Sequence, residues 1–335
     1  MKFIRTKSLV FLNNKWWVWK TTIAFNTAIK FAKKWYKTVL VDLDPQCNLS
    51  RLALWENFDN NLFSWIDNNI YWVIKWLTKW WSDINLNINF QEIRDNLHIL
   101  PWSLKISEYQ NLLITAYNQA TWWQEIWFFQ TSAIYRFLKE KWLNEDIDIF
   151  IIDASPSLDL LNRIILLWVD YFITPLNPDA FSLQWIENLW NTLDDWKNNW
   201  KNSAKALAWN IPNNKVLNWE WLFIWYVINS YNQYKKQEIK SHREWIEKIP
   251  DSIKKYLSEK HCKNWLVEKS WKESLMNIKD FWELPTDWQV KQKAIFELTP
   301  WKDFPSVKWT NENLELANVQ FEDFTDNIIN ILHKY

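Results

Sequence analysis

The 335-residue chain contains no glycine and 31 tryptophans. A protein of ordinary composition carries roughly 7% glycine, about two dozen residues at this length. Glycine supplies the positive-φ conformations that turns, helix C-caps and phosphate loops need. Without it, a large α/β protein must place side chains where sterics oppose them. Cysteine is scarce as well: Cys47 and Cys262 exclude a disulfide framework and an all-cysteine zinc site. No charge is in excess, because 39 Lys and Arg balance 39 Asp and Glu. No global field therefore draws the chain onto nucleic acid, and any such contact must come from a local patch. No apolar run is long enough to span a bilayer and no signal-peptide pattern is present, so the expectation is a cytoplasmic protein.

Tryptophan fills the places that glycine would take, in contexts unlike those of a core aromatic. It is doubled at Trp16-Trp17, Trp80-Trp81 and Trp122-Trp123, and it sits in turn-like strings such as Lys34-Trp35-Tyr36 and Pro101-Trp102-Ser103. With glycine in those positions the strings become ordinary turns. The economical reading is a UGA codon that the cell of origin decodes as glycine, translated here as tryptophan. Reassignment alone does not account for a glycine count of zero, since ordinary glycine codons would still contribute. Trp245, in a helix-like charged stretch, is a candidate for a genuine tryptophan. A chain whose tryptophans are all genuine is the alternative.

The apolar pattern implies a doubly wound α/β fold, a mostly parallel sheet flanked by helices. Ser8–Leu12 is a short apolar run, Thr21–Lys34 has helical spacing, and Thr38–Val41 is a β-branched run ending in Asp42. A strand, helix, strand order implies a crossover and parallel pairing. Further strand candidates are Leu97–Leu100, Ile147–Ile152, Tyr171–Thr174 and Leu222–Ile228, with helical stretches around 103–118, 131–142, 157–167 and 182–198. Residues 1–235 are expected to form the core, with 55–95 an insertion after the second strand. Residues 236–335 are expected to form a helical part packed on that core.

The most informative segment is residues 13–22, Asn-Asn-Lys-Trp-Trp-Val-Trp-Lys-Thr-Thr, between a strand and a helix. With glycine at Trp16, Trp17 and Trp19 it becomes a phosphate-binding loop, whose backbone N–H groups turn inward around an anion at a helix N-terminus. Lys20 would neutralise the β- and γ-phosphates, and the Thr21 hydroxyl would help hold Mg²⁺. Val18 and Thr22 complete the cradle around ATP. Three indoles at 16, 17 and 19 would instead fill the space meant for phosphate. A pattern glycine is replaced by Asn14, and a second lysine, Lys15, precedes the Trp16-Trp17 pair.

These features resemble the deviant Walker A loop of the ParA/MinD family, and the similarity extends over most of residues 8–235. Val41-Asp42-Leu43-Asp44-Pro45-Gln46 resembles that family's switch I, Ile99-Leu100-Pro101-Trp102-Ser103 its "IPGS" segment, and Phe150 to Ser157 its Walker B and switch II. Val227-Ile228-Asn229-Ser230-Tyr231 resembles the strand end beside the base. The likeness is to the ParA (Soj-like) branch. It implies that Lys15 reaches the partner subunit's phosphates in an ATP-dependent homodimer and that Asp44 orients the attacking water. It also implies that Asp153 reaches Mg²⁺, that Asp42 supports the metal site, and that Asn229 lies beside the base. Cys47 stands where the family usually has a small residue, often glycine, and Ser155 replaces a common switch II proline.

The resemblance further implies non-specific DNA binding with a nucleoid-associated location. An activating ParB-like partner and the positioning of a plasmid, chromosome or other cargo are implied with it. DNA binding requires basic surface. Residues 233–263 hold nine Lys and Arg against five Asp and Glu, with Lys235, Lys236, Lys240 and Arg243 at near-helical spacing. A solvated charged helix would look the same. A MinD-type membrane-associated ATPase would need a basic amphipathic C-terminal helix, whereas Phe321–Tyr335 carries Glu322, Asp323 and Asp326, with Lys334 as its sole Lys or Arg. An iron–sulfur reductase would need two cysteines per subunit at a shared cluster, and Cys47 and Cys262 are far apart in sequence. If the tryptophans are genuine, a non-hydrolysing binding protein follows.

Overall fold

The computed structural model describes residues 2–13, 20–54, 68–78, 83–120, 126–207, 221–231, 233–234, 237–238, 240–261, 274–279, 292–299 and 311–335. Its centre is an eight-stranded sheet in the order β10-β7-β6-β1-β5-β2-β4-β3. The strands are β1 (Lys7–Phe11), β2 (Thr38–Leu43), β3 (Gln91–Arg94), β4 (Leu97–Leu100), β5 (Ile149–Ala154), β6 (Tyr171–Leu176), β7 (Leu222–Tyr231) and β10 (Asn277–Lys279). A separate short hairpin pairs β8 (Gln233–Tyr234) with β9 (Gln237–Glu238). All pairings in the main sheet are parallel except the edge pair β3–β4. From β1 the chain moves one way to β2 and β4, and later the other way through β6, β7 and β10. β1 thus ends near the point where the winding reverses, which is where open α/β sheets bind ligands.

Both faces of the sheet are covered, and the period-2 alternation of the strands decides which residue goes where. Leu9, Phe11, Leu40, Ile149 and Ile151 face one layer, with Ala24, Ala28 and Phe31 of the first helix, Lys20–Lys33. Val10, Val39, Val41, Phe150 and Ile152 face the other, under helices Ser107–Ala120, Ala133–Glu145 and Ala180–Leu207. Burial on both faces is why these strands read as continuous apolar runs.

Two features go beyond the sequence reading. The edge strand β3 lies inside the stretch read as an insertion, paired to β4 through a tight turn with Asn96 at φ 60°. It was missed because Gln91-Glu92-Ile93-Arg94 is polar, as befits an edge strand. The region read as helical after residue 236 also contributes β10, which pairs in parallel with β7 and so extends the sheet. At three residues it is too short to carry a strand signal.

The C-terminal helix, Asn311–Lys334, buries Leu314, Ala317, Phe321, Phe324, Ile328 and Leu332. Its acidic residues meet the first helix: Glu322 pairs with Lys30 at 2.7 Å and with Lys34, and Asp326 pairs with Lys34 at 2.8 Å. The apolar face that a membrane-binding tail would expose is thus in the core. No helix among the described residues is long and apolar enough to cross a membrane.

The first helix ends in a Schellman motif with tryptophan at its left-handed position. Tyr36 N donates to Phe31 O at 3.1 Å, and Trp35 N donates to Ala32 O at 3.0 Å. Trp35 has φ 67°. The apolar contact that normally closes this motif is present as an edge-on pair of Phe31 and Tyr36, 5.6 Å between centroids. This is the place where helices most often use glycine, because only glycine escapes the Cβ clash. The Trp35 side chain is 79% exposed and gains little from packing. Trp168 is strained differently: its indole Nε1–H is buried with no hydrogen-bond partner among the described residues. In the chain as written, Trp35→Gly should raise stability by about 1 kcal/mol, the relieved left-handed strain exceeding glycine's added unfolded-state entropy. Urea unfolding measures this, and an unchanged or lower midpoint would refute it.

Candidate functional site

The site is built where β1, β2 and β5 end side by side. Phe11 of β1 and Asp42 of β2 both stand in register with Asp153 of β5. Each aspartate comes one residue before the end of its strand, so both carboxylates reach the C-terminal edge of the sheet while still flanked by apolar neighbours. Lys20 opens the first helix directly above them. Its Nζ lies 3.3 Å from Asp44 Oδ2 and 3.4 Å from Asp153 Oδ1, and all three side chains are at most 5% exposed. The Thr21 hydroxyl donates to Asp153 Oδ2 at 2.6 Å.

Each carboxylate is held by a different device. Asp44 Oδ1 accepts from Gln46 N at 2.9 Å, a local turn that leaves Oδ2 pointed at Lys20. Asp42 Oδ2 accepts from both the backbone N and the hydroxyl of Ser50, at 2.8 and 2.6 Å, while its Oδ1 accepts from Asp44 N at 3.1 Å. Ser50 Oγ in turn accepts from Trp102 N at 2.9 Å, tying the Pro101-Trp102-Ser103 segment to the aspartate. Cys47, on the turn between Asp44 and Ser50, has φ 56°. A backbone that favours glycine explains why a small residue belongs there, and burial pushes the thiol well above its ordinary range.

Crowding of negative charge in a dry place moves both strand carboxyls upward. Burial, then the charge of Asp153, raises Asp42 to about 7. Burial raises Asp153 to about 6, although the Lys20 charge works the other way. Asp153 Oδ1 accepts no hydrogen bond among the described residues. Two buried carboxylates and a threonine hydroxyl are hard oxygen donors of the kind Mg²⁺ selects. No cluster of three or more His, Cys, Asp or Glu suited to a metal is found among the described residues.

The segment that follows β5 is held by a set of side-chain hydrogen bonds. Ser157 Oγ donates to Asp159 Oδ2 at 2.7 Å, which leaves the single proton of Ser155 for either the Ser157 oxygen or Asp159 Oδ2 at 3.1 Å. Asn162 Nδ2 reaches the Ser155 carbonyl at 2.7 Å, and Asp159 caps helix Leu160–Ile165 through Asn162 N at 2.9 Å. Ser50, Ser157, Asp159 and Asn162 were not found by sequence reasoning. Serines and asparagines near turns are too common to signal a role without their partners.

The structure thus gathers Lys20, Thr21, Asp42, Asp44 and Asp153. Thr22 is half-buried on the same helical turn. On the other side of β1, Thr174 Oγ1 donates to Leu12 O at 2.9 Å, and Asn13 Nδ2 donates to Pro175 O. Asn229 lies one strand further on, in β7. Lys15, Trp16, Trp17, Val18 and Trp19 lie outside the described residues, as do Lys235, Lys236 and Cys262. Lys240 begins helix Lys240–His261, on which exposed Arg243 lies 3.3 Å from Glu247 and is partly neutralised.

A family model described as an AAA domain (AAA_31) matches residues 6–206. An uncharacterised protein of Methanocaldococcus jannaschii is 31% identical over 185 residues, 55% of this chain and 64% of that protein. A virulence plasmid ParA family protein of Chlamydia psittaci is 26% identical over 185 residues, 55% of this chain and 61% of that protein. The chain therefore spans less than two thirds of the length of these two relatives. A crystal structure of a Corynebacterium diphtheriae protein superposes with TM-score 0.72 at 18% identity, covering 98% of this chain and 99% of that one. Cyanothece McdA in an ATP complex superposes with TM-score 0.58 at 12% identity, covering 98% and 95%. Both share the fold.

The raised carboxyls have a measurable consequence. An acid held above its unfolded value binds its proton more tightly when folded, so its contribution favours folding at low pH. That contribution is lost as pH rises from about 4 to about 7 through the Asp42 and Asp153 values. Asp42→Asn removes the charge penalty but turns an NH₂ toward a group that now donates to the carboxylate, so the substitution should cost less melting temperature at pH 8 than at pH 4. Equal shifts at both pH values would count against a charge penalty at Asp42.

Proposed function

Because the chain belongs to the AAA_31 family of ParA/MinD-like P-loop ATPases, we propose that it hydrolyses ATP with Mg²⁺ at the Lys20–Asp44–Asp153 site. We propose further that it works as a ParA-like dimeric positioning ATPase. The observation that carries this reading is the buried triad itself, one lysine between two strand-end carboxylates with Thr21 bonded to the second. A phosphate loop needs a cation for the β- and γ-phosphates, a hydroxyl and a carboxylate for Mg²⁺, and a group to orient water. Lys20, Thr21 with Asp153, and Asp44 answer these needs in that order.

When bound, the cation would neutralise developing phosphate charge, and Thr21, Asp153 and Asp42 are the residues that would hold or support it. Lys20 binds phosphate oxygens in exchange for its contacts to Asp44 and Asp153, which frees both carboxylates. Asp44, no longer paired with Lys20, can accept a hydrogen bond from water. Ser50 keeps Asp42 in place throughout. Lys15 would cross to the phosphates of a second copy, so that ATP joins two subunits. The reading requires glycine at positions 16, 17 and 19, and the Schellman position of Trp35 supports the same decoding elsewhere in the chain.

The ParA family name of the Chlamydia relative supports partition of plasmid, chromosome or another cargo. In this reading the dimer binds DNA non-specifically through Lys235, Lys236, Lys240 and Arg243 at the nucleoid. A ParB-like partner accelerates hydrolysis and release. The MinD-type alternative is disfavoured by the C-terminal helix, whose apolar face is packed in the core and whose acids pair with Lys30 and Lys34.

Peptide mass spectrometry of the protein from its own host tests the premise, with residues 16–20 as the decisive fragment and the tryptophan-free residues 38–51 as the control. Glycine masses at 16, 17 and 19 are expected; tryptophan masses would close the site and withdraw the ATPase reading. In the glycine-bearing protein, Lys20→Ala should reduce ATP turnover by about 10²-fold or more. Gel-shift assays should show DNA binding that needs ATP and weakens steeply with salt. Tight binding without nucleotide, or none with it, would sink the DNA-binding proposal.

A further inference from the structure

The rung at which β1 and β6 part company is built from side chains. Leu9, Val10 and Phe11 of β1 stand in parallel register with Tyr171, Phe172 and Ile173 of β6, and Leu12 N donates to Ile173 O at 3.0 Å. In a parallel ladder, alternate residues of a strand turn both their N–H and their C=O to the same neighbour. Ile173 turns to β1, Thr174 and Leu176 turn to β7, and residue 175 turns to β1 again. The next rung would therefore join the residue 175 N–H to Leu12 O, and the residue 175 C=O to the N–H of residue 14. Residue 175 is proline, which has no N–H to give. β6 lies between β1 and β7, a central place where proline is rare because it removes a ladder bond. Here the missing bond falls on the β1 side alone, and pairing with β7 continues through Pro175 and Leu176. Side chains fill both places in the absent rung. Thr174 Oγ1 donates to Leu12 O at 2.9 Å, and Asn13 Nδ2 donates to Pro175 O. Asn13 and Thr174 are both buried.

We propose that Pro175, with Thr174 and Asn13, is a positioning group that ends the β1–β6 ladder at Leu12 and so frees the chain from residue 14 onward to turn its N–H groups to phosphate. The inference rests on the nucleotide-binding reading above and deepens it. A backbone N–H committed to a sheet cannot also point at an anion, and a phosphate loop works through N–H groups turned inward. A further rung would hold residue 14 in extended pairing, immediately before Lys15. Simply breaking the ladder would leave Leu12 O and Pro175 O buried and unpaired, which is costly. The Thr174 hydroxyl and the Asn13 amide remove that cost without recruiting another strand residue. The hydroxyl has one proton to give and gives it to Leu12 O, while its lone pairs accept from Trp185 Nε1 at 3.4 Å. Glycine at position 185 would remove the incoming bond and leave the outgoing one in place.

The test uses the full chain bearing glycine at 16, 17 and 19, with the affinity for an imido-bridged ATP analogue and the urea midpoint measured for each variant. Pro175→Ala restores the N–H and lets the ladder run on, so analogue binding must break a backbone hydrogen bond and should weaken by about fivefold or more. Thr174→Ser keeps the hydroxyl and should bind as the parent does. Thr174→Val leaves Leu12 O without its donor and should lower the urea midpoint. It should do so by less in the Pro175→Ala background, where the new N–H serves the same carbonyl. The double variant should still bind weakly, whereas a merely structural role for Pro175 would make affinity follow stability throughout. Parental affinity in Pro175→Ala would overturn the inference alone, as would a Thr174→Val cost that is equal in both backgrounds. A parent that binds no analogue would remove the nucleotide reading itself, and this inference with it.

Discussion

Lys20 lies between Asp44 and Asp153 with almost no solvent access, and most of the architecture serves to keep it there. A buried lysine is stable only if its charge is matched, and two carboxylates from neighbouring segments supply the match. β2 and β5 must be adjacent and in register for Asp42 and Asp153 to face each other. The turn at Cys47 must bend the chain back so that Ser50 reaches Asp42. The first helix must start directly above the sheet edge, which its packing against Leu9, Leu40 and Ile151 secures. In the proposed function a ligand phosphate would compete with the two carboxylates for the same lysine.

The C-terminal helix anchors the far end of that first helix. Lys30 and Lys34 meet Glu322 and Asp326 across the layer, and Phe321, Phe324 and Ile328 fill the groove beneath. These acids, exposed in a linear reading, are partners of basic residues nearly three hundred positions away. The Glu297 carboxylate does a related job, joining Arg94 at the sheet edge to Lys33 at the end of the first helix. The helix that begins with Lys20 is therefore tied to the sheet edge and to the C-terminal helix by separate charge contacts.

The tryptophans divide by environment. Trp35 occupies a left-handed helix terminus that glycine would take at no steric cost, and Trp168 buries an indole donor without an acceptor among the described residues. Trp190 instead packs with Phe172, Trp221 and Phe223 in an aromatic group beneath the sheet. Backbone conformation discriminates here where composition could not. A φ of 67° is a property of the position, and it argues for glycine whatever side chain is written there.

The order of strands and helices in the core and the strand-end aspartates were legible in the sequence, whereas the segment read as a phosphate loop lies outside the described residues at 14–19. Continuous apolar runs mark strands buried on both faces, and a lysine-threonine pair after such a run marks a helix start over a phosphate. Edge strand β3 and the three residues of β10 were not legible, because polar or very short strands leave no periodic signal. Nor were Ser50, Ser157, Asp159 and Asn162. Their importance lies in which groups they touch, and serine or asparagine at a turn looks the same with or without a partner. Local sequence determined which elements form, since period and burial are properties of neighbours along the chain. Only the tertiary structure decided which carboxylates share Lys20 and which acids meet the first helix, because those pairings join segments whose separation only the packed fold removes.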